Sequence, residues 1–164
     1  MVVRSVLSGP SEVFLRFGRP GPDYPVVCEL SLSEPDRELL ARALAVARAH
    51  SRWRHHTVAA AARSVDGRVF TGLNVFHFAG GPCAELVVIG AAAAEGVYDL
   101  DTVVAADATG VVPPCGRCRQ VLSDLVPDVT VLVTETEKVP VGTLLPRAYR
   151  WSEHLSTLEQ RRRQ

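Results

Sequence analysis

The chain has 164 residues, 47% of them hydrophobic, which is enough to bury the core of one ordinary domain. Basic and acidic residues number 18 each, so the neutral balance indicates no electrostatic affinity for nucleic acid or an anionic membrane surface. No apolar run is long enough to span a membrane, and the N-terminal residues lack the pattern of a secretion signal, so we expect a cytoplasmic protein.

The first predicted elements are an irregular arm and a helix. Residues 1–30 contain four prolines and scattered glycines, which predicts an N-terminal arm with at most one short strand at "EVFLRF". The stretch "SLSEPDRELLARALAVARAH" then predicts a helix, since Ser33 can cap it, Pro35 lies in its first turn, and acids precede arginines. Its apolar residues fall on one face: Leu39, Leu40, Ala43 and Leu44.

The remaining elements alternate between strands and helices. "HTVAAAARSVDGRVFTGLNV" predicts two strands joined by an Asp-Gly hairpin, and a helix is expected from Pro82. A buried strand "DTVVAADA", a short helix near Cys115, a strand "VTVLVT" and a turn or helix at "VGTLLP" follow. This order predicts one α/β domain over residues 31–151, with a sheet that is antiparallel at the hairpin and parallel later. Residues 152–164 are expected to form a charged, solvated C-terminal tail that is either helical or frayed.

Three of the four cysteines have a spacing that suits a metal ion. Cys115 and Cys118 project from one helical turn, and Cys83 opens the other helix. Cys83 and Cys115 both follow prolines at predicted helix starts, where free N–H groups favour the thiolate that binds metal. Three ligands and one open position are typical of catalytic zinc. Cys28 as a fourth ligand, a redox pair at Cys115 and Cys118, and unconnected buried thiols are the alternatives.

Glu85 stands two residues after Cys83 in an otherwise apolar helix. Burying a carboxylate costs several kcal/mol unless a cation or water compensates for it. A zinc ion and its water would compensate, and the carboxylate could take a proton from that water. We therefore predict that Glu85 is the catalytic acid and base.

The joint pattern "CAE" at 83–85 and "PCGRCRQ" at 114–120 resembles the cytidine deaminase family. Three stretches, "DGRVFTGLNVFHFAGGPCAELVVIGAAAA", "PPCGRCRQVLSDL" and "LLPRAYRW", resemble most its branch acting on blasticidin S, over about residues 56–151. The resemblance implies a three-layer α/β/α sandwich with a mixed five-stranded sheet. It also implies hydrolytic deamination of a cytosine ring at C4, one zinc per subunit, and a homotetramer whose sites share residues between neighbours.

The same resemblance directs attention to "NVFHF". Cytidine deaminases commonly read Asn-Val-Glu-Asn here, and the Asn and Glu hold the ribose hydroxyls. This chain keeps Asn74 but has Phe76 in place of that glutamate, and a phenyl ring accepts no hydroxyl hydrogen bond. We therefore predict a modified cytosine nucleoside such as blasticidin S as the substrate, with His77 and Trp151 as further contacts. Thr109, where that branch has an arginine near the pocket mouth, argues against an identical substrate choice.

Other functions remain open on the sequence. Pyrimidine salvage on cytidine or deoxycytidine is the first alternative, and Phe76 would then be a core residue. A zinc-stabilised binding protein without turnover is the second, although it has no use for Glu85. The neutral charge disfavours a polynucleotide-editing deaminase.

A charge problem accompanies the three thiolates, because they leave zinc with a net negative charge. Family members with three cysteines commonly carry an arginine directly after the catalytic glutamate, where this chain has Leu86. Arg117 or Arg119 could donate to the sulfur atoms instead.

Overall fold

The computed structural model describes residues 32–162 of the chain, so the predicted strand at "EVFLRF" and Cys28 lie outside the described residues. The helices are α1 (Glu34–His50), α2 (Ala84–Ala94), α3 (Gly116–Leu125) and α4 (Trp151–Arg162). The strands are β1 (Ala59–Ser64), β2 (Val69–Leu73), β3 (Leu100–Ala106), β4 (Thr130–Leu132) and β5 (Lys138–Pro140), and a 3₁₀ turn covers Val141–Leu144.

Helix α1 forms as its end signals predict. Ser33 is the N-cap, and its side chain accepts a hydrogen bond from the backbone N–H of Asp36. Glu34 and Asp36 lie in the first turn, while Arg48 and His50 lie in the last, which suits the helix dipole. Leu39, Leu40 and Ala43 are buried and Leu44 is half-buried, so the predicted apolar face is confirmed.

The five strands form one mixed sheet in the order β2-β1-β3-β4-β5. β1 pairs antiparallel with both β2 and β3, β3 pairs parallel with β4, and β4 pairs antiparallel with β5. The predicted Asp-Gly hairpin joins β1 to β2, and Gly67 has the positive φ of 87° that this turn requires. The mixed five-stranded sheet is therefore confirmed.

Each face of the sheet carries its own apolar core. One core joins α1 to the sheet through Leu39, Leu40, Ala61, Val104 and Leu132. The other packs α2 and α3 against the opposite face, and its fully buried members include Val88, Val103, Leu122 and Val131. Helices thus cover both faces, which confirms the three-layer α/β/α sandwich.

A buried ion-pair cluster fastens α1 to the sheet. The Asp36 side chain is fully buried and accepts hydrogen bonds from Arg63 Nη2 at 2.9 Å, Lys138 Nζ at 2.6 Å and Ser33 Oγ at 2.8 Å. Arg63 also pairs with Asp101 at 3.0 Å. Burial alone would raise the pKa of Asp36, but the bonds from Lys138, Ser33 and Arg63 hold that pKa below its ordinary value.

Strand β5 differs from the sequence prediction. It was not predicted, because its three residues, one of them Pro140, carry no strand pattern of their own. Of the two forms expected for the charged tail, helical or frayed, the structure shows a helix through Arg162, as helix α4. None of the helices in the described range 32–162 has the length and apolar character needed to cross a membrane.

Candidate metal and catalytic site

The two cysteine motifs lie at the starts of two neighbouring helices on the same face of the sheet. Cys83 is the N-cap of α2, and Cys115 is the N-cap of α3. Neither thiol caps its own helix by a side-chain hydrogen bond, so both sulfur atoms remain available for another partner. Cys118 lies in the first turn of α3 and is fully buried.

The three sulfur atoms lie at distances that suit one zinc ion. Cys83 Sγ is 3.8 Å from Cys115 Sγ, and Cys115 Sγ is 3.6 Å from Cys118 Sγ. All three lie within 4.8 Å of one another. With Zn–S bonds of about 2.3 Å, two sulfurs of a tetrahedral site are about 3.8 Å apart. The thiols therefore fit a tetrahedral zinc with one position left for a non-protein ligand.

The site also needs a positive charge. Burial and the Glu85 carboxylate raise the pKa of the Cys118 thiol far above its ordinary value. Burial also raises the pKa of the Cys115 thiol, but the nearby backbone N–H groups of Cys118 and Arg117 and the thiols of Cys118 and Cys83 outweigh burial and lower this pKa below its ordinary value. A cation among these sulfur atoms would stabilise all three as thiolates.

One arginine contacts the sulfur cluster. Arg117 Nη2 lies 3.3 Å from Cys83 Sγ and donates to the Gly81 carbonyl at 2.6 Å. Arg119 instead donates to the carbonyls of Pro114 at 2.9 Å and Leu144 at 3.1 Å, and so joins α3 to the 3₁₀ turn. Of the two candidates for offsetting the thiolate charge, Arg117 is the one whose guanidinium touches a sulfur atom.

Glu85 lies in the first turn of α2 and is only 5% exposed. Among residues 32–162, no hydrogen-bond donor is recorded for its carboxylate, although the charge reaches Cys118 strongly enough to shift that thiol's pKa. A buried carboxylate without a protein donor is costly unless a cation or water meets it. The arrangement thus sets a proton acceptor beside the three-sulfur cluster.

Comparison with known proteins decides the family. Residues 33–134 match the family model of the cytidine and deoxycytidylate deaminase zinc-binding region. The chain belongs to this family. It is a zinc-dependent enzyme of the cytidine deaminase type, and the predicted zinc cofactor is confirmed.

The relatives that resemble this chain include a blasticidin-S deaminase and cytidine deaminases. The blasticidin-S deaminase of Bacillus cereus is 33% identical over 108 residues, covering 57% of this chain and 77% of the relative. The cytidine deaminase of Halalkalibacterium halodurans is 36% identical over 124 residues, covering 70% and 94%. The crystal structure of cytidine deaminase from Mycobacterium leprae superposes with a TM-score of 0.59 at 33% identity, covering 67% of this chain and 96% of that one.

The loop before α2 holds three of the four residues predicted to contact substrate, Asn74, Phe76 and His77. The Val75 N–H donates to the Pro82 carbonyl at 3.0 Å and closes the loop. Gly81 is required there, since a Cβ on it would lie 1.8 Å from the Val75 carbonyl oxygen. Phe76 is 65% exposed, and the His77 ring packs 4.4 Å from the Phe78 ring between centroids. The loop therefore presents aromatic side chains outside the core.

The Asn74 side chain is partly committed to the protein itself. Its Oδ1 accepts hydrogen bonds from the N–H groups of Thr57 at 2.7 Å and Val58 at 2.9 Å. Its amide nitrogen makes a long contact of 3.5 Å to Thr57 Oγ1. Asn74 thus ties the end of β2 to the residues before β1.

Two residues gain contacts that the sequence did not predict. His56 Nδ1 lies 2.6 Å from the Asn74 carbonyl oxygen, and Phe76 N–H donates to the His55 carbonyl at 2.8 Å. Both histidines therefore contact the backbone of the segment between β2 and α2. Trp151 is half-exposed at the start of α4, where its ring packs against His154. Thr109 donates both its N–H and its hydroxyl to Asp107 in the turn after β3.

Proposed function

We propose that this enzyme converts the cytosine ring of a modified nucleoside such as blasticidin S to a uracil ring, with release of ammonia. The observation that carries the proposal is an exposed Phe76 at the position where the family commonly has a ribose-binding glutamate. Activity of this kind would inactivate a cytosine-containing antibiotic and confer resistance to it. No nucleic acid or membrane partner is part of the proposal.

The reaction requires a proton carrier at the zinc site. Zinc held by Cys83, Cys115 and Cys118 would lower the pKa of a water molecule, so that it can attack C4 of the ring. Glu85 would take one proton from that water and deliver it to N3. It would then carry the remaining hydroxyl proton of the C4 adduct to the amine, so that the C4–N bond breaks, ammonia leaves and the C4 carbonyl forms. Arg117 would hold the Cys83 sulfur and moderate the charge of the three thiolates.

Metal analysis of single variants tests the ligand assignment. We expect about one zinc per chain in the parent enzyme and large losses of zinc after Cys83→Ser, Cys115→Ser or Cys118→Ser. Cys28→Ser is the matched control and should retain its zinc. Full retention in Cys115→Ser, or loss in Cys28→Ser, would contradict the assignment.

The role of Glu85 is tested by Glu85→Gln. The amide has the shape of the carboxylate but cannot take up and release a proton. Turnover should therefore fall about 10²–10⁴-fold or more, while zinc content and fold persist. Glu95→Gln, at the exposed C-terminal cap of the same helix, is the control and should keep its activity. Half-maximal activity in Glu85→Gln would mean that another group moves the proton.

Substrate choice is tested by ammonia release from blasticidin S, cytidine and free cytosine. Because Phe76 accepts no hydrogen bond, a plain ribose should lose binding worth about 1–3 kcal/mol. Phe76→Glu should therefore raise kcat/KM for cytidine relative to blasticidin S, with Phe78→Glu in the same loop as control. A kcat/KM for cytidine of about 10⁴ M⁻¹s⁻¹ or more in the parent enzyme would favour pyrimidine salvage instead.

Salvage of cytidine or deoxycytidine remains the second candidate, and one observation favours it. The relative from Halalkalibacterium halodurans is named a cytidine deaminase and is covered over 94% of its length. Asn74, which the family uses for the ribose, is also present. The kinetic comparison above separates the two candidates.

The enzyme is further proposed to be a homotetramer. Helix α2 carries a single charged residue, Glu85, and that residue is buried, so the outer face of the helix is apolar. Leu86, Gly90 and Ala94 recur along this face and are half-buried or exposed, and an apolar helix face of this kind is normally covered. Sedimentation should show tetramers for the parent enzyme and smaller species for Gly90→Arg, while Ala45→Arg on α1 should leave assembly unchanged.

A further inference from the structure

Arg119 is the fourth residue of α3, and the chemistry proposed above gives it no role. Its Nε donates to the Pro114 carbonyl at 2.9 Å, and its Nη1 donates to the Leu144 carbonyl at 3.1 Å. The residue is half-buried, and among residues 32–162 it pairs with no carboxylate. Arg119 therefore joins two backbone segments, the approach to α3 and the 3₁₀ turn.

The start of α3 is an unfavourable place for a cation. The N-terminus of a helix carries a partial positive charge, and acidic residues are favoured there. Helix α1 follows this rule with Glu34 and Asp36 in its first turn, whereas the first turn of α3 has no acidic residue. An arginine at this place needs another reason, and its two carbonyl partners supply one.

The Pro114 carbonyl belongs to the peptide group that leads into Cys115. A peptide group is planar, so its oxygen and the Cα atoms of both residues lie in one plane. A hydrogen bond that fixes the oxygen therefore restricts where the Cα of Cys115 can lie. Pro114 is itself buried and has a fixed φ, which leaves this peptide group little other freedom.

The second carbonyl belongs to a segment that is packed in place. Leu144 ends the 3₁₀ turn, and Val141, the first residue of that turn, is fully buried. The Val141 N–H donates to the carbonyl of Val129, directly before β4, at 3.0 Å. Arg119 thus holds the peptide group before Cys115 against a part of the chain that the core fixes.

Cys115 is the zinc-ligand candidate that most needs this support. Cys118 is fully buried, and the Cys83 sulfur contacts the Arg117 guanidinium. Cys115 is exposed, and its side chain makes no capping hydrogen bond to α3. The surrounding core does not hold the Cys115 side chain, so its position depends on how firmly its backbone is held.

We propose that Arg119 is a positioning residue for the zinc ligand Cys115, an inference that rests on the ligand set of the proposed function. The planar guanidinium presents its N–H groups in a fixed geometry and so holds the Pro114–Cys115 peptide group against the 3₁₀ turn. The Cys115 sulfur is thereby kept 3.8 Å from the Cys83 sulfur and 3.6 Å from the Cys118 sulfur, as a tetrahedral zinc requires. Arg117 moderates the charge of the sulfur atoms, whereas Arg119 sets the position of one of them.

Zinc affinity of the full-length enzyme, measured by chelator competition, tests this role. Arg119→Gln removes the pair of carbonyl contacts and should weaken zinc affinity about 10–100-fold, as the loss of a group that orients a metal ligand commonly does. Arg119→Lys keeps the positive charge but not the fixed pair of N–H groups, so it should not restore the parent's affinity. Arg48→Gln is the matched control and should keep that affinity, since Arg48 Nε also donates to a backbone carbonyl, that of Ala108 at 3.2 Å, but from α1.

The visible absorption of the cobalt-substituted enzyme separates a positioning role from a general loss of stability. The bands of cobalt(II) bound by thiolates depend on the geometry of the ligands. Arg119→Gln and Arg119→Lys should shift or weaken these bands, while Arg48→Gln should leave them unchanged. The inference is overturned if Arg119→Gln keeps the parent's zinc affinity and cobalt spectrum, or if Arg119→Lys restores both, because charge alone would then suffice. If Arg119→Gln does not fold, Arg119→Lys decides by the same two measurements.

The zinc content of Cys115→Ser distinguishes failure of this inference from failure of the ligand set. If Cys115→Ser loses zinc and Arg119→Gln keeps the parent's affinity, the ligand set stands and only the positioning role is wrong. If Cys115→Ser retains its zinc, the ligand set is wrong and the positioning role falls with it. Neither measurement depends on which nucleoside the enzyme deaminates.

Discussion

Replacing Asp36 by alanine should destabilise the fold more than any surface substitution on α1. The carboxylate is fully buried and accepts from Arg63, Lys138 and Ser33 at 2.6–2.9 Å. Its removal leaves two cationic groups close together without their shared acceptor. Loss of one partner from a buried ion pair costs about 3–5 kcal/mol, because the remaining charge stays desolvated.

The expected effect is large enough to measure by calorimetry and by urea unfolding. In a chain of this size, 1 kcal/mol shifts Tm by about 2–4 °C, so Asp36→Ala should lower Tm by roughly 6–20 °C. Asp36→Asn keeps the side-chain shape and some hydrogen bonds, so its Tm should lie between that of the parent and that of Asp36→Ala. It serves as the second variant if Asp36→Ala does not fold.

Glu34→Ala provides the control on the same helix. Glu34 pairs with Arg37 at an exposed i,i+3 position, and such pairs contribute about 0.5 kcal/mol or less. A loss below about 1 kcal/mol in Asp36→Ala, similar to that of Glu34→Ala, would refute the reasoning, since the cluster would then be no more than a surface pair.

Three further outcomes are expected. Arg117→Gln removes the contact with the Cys83 sulfur and should weaken zinc affinity or turnover about 10–100-fold, measured by chelator competition and kcat. Gly81→Ala forces its loop to move, because the added Cβ would lie 1.8 Å from the Val75 carbonyl oxygen, and it should lower kcat/KM at least about tenfold. Because the pKa of Asp36 is held below its ordinary value, its contribution to stability is complete above about pH 4 and is lost as the pH falls further, so acid unfolding of Asp36→Asn should be less steep over that range.

Local signals made much of the fold predictable. Ser33, Pro35 and the spacing of Leu39 and Leu40 mark helix α1, and the Asp-Gly turn marks the hairpin, because each signal acts within a few residues. Strand β5 carries no such signal. Its pairing with β4 fixes it instead, and that information is absent from its three residues.

Contacts between residues far apart in the sequence could not be predicted from it. Asp36 reads as an ordinary first-turn acid, yet it binds Lys138, which lies 102 residues away in the sequence. At the site, cysteine spacing predicted that Cys115 and Cys118 act together, whereas the choice between Arg117 and Arg119 depended on which guanidinium reaches a sulfur atom. Sequence spacing could not decide between the two arginines, because both lie in the first turns of α3.

The buried ion pair that stabilises the fold and the residues proposed for the chemistry lie on opposite faces of the sheet. The thiols and Glu85 begin helices on one face, where a metal ion must compensate their charges, while Asp36 and Arg63 compensate each other on the opposite face. Residues without shared partners usually act additively. Asp36→Ala should therefore lower stability while zinc affinity and kcat, measured well below the reduced Tm, stay near the parent values. Arg117→Gln should lower zinc affinity or kcat while the stability of the fold stays near the parent value, because its contacts lie at the sulfur cluster and in the neighbouring loop. A fall in zinc affinity with Asp36→Ala as large as with Arg117→Gln would show that the central sheet couples the two faces.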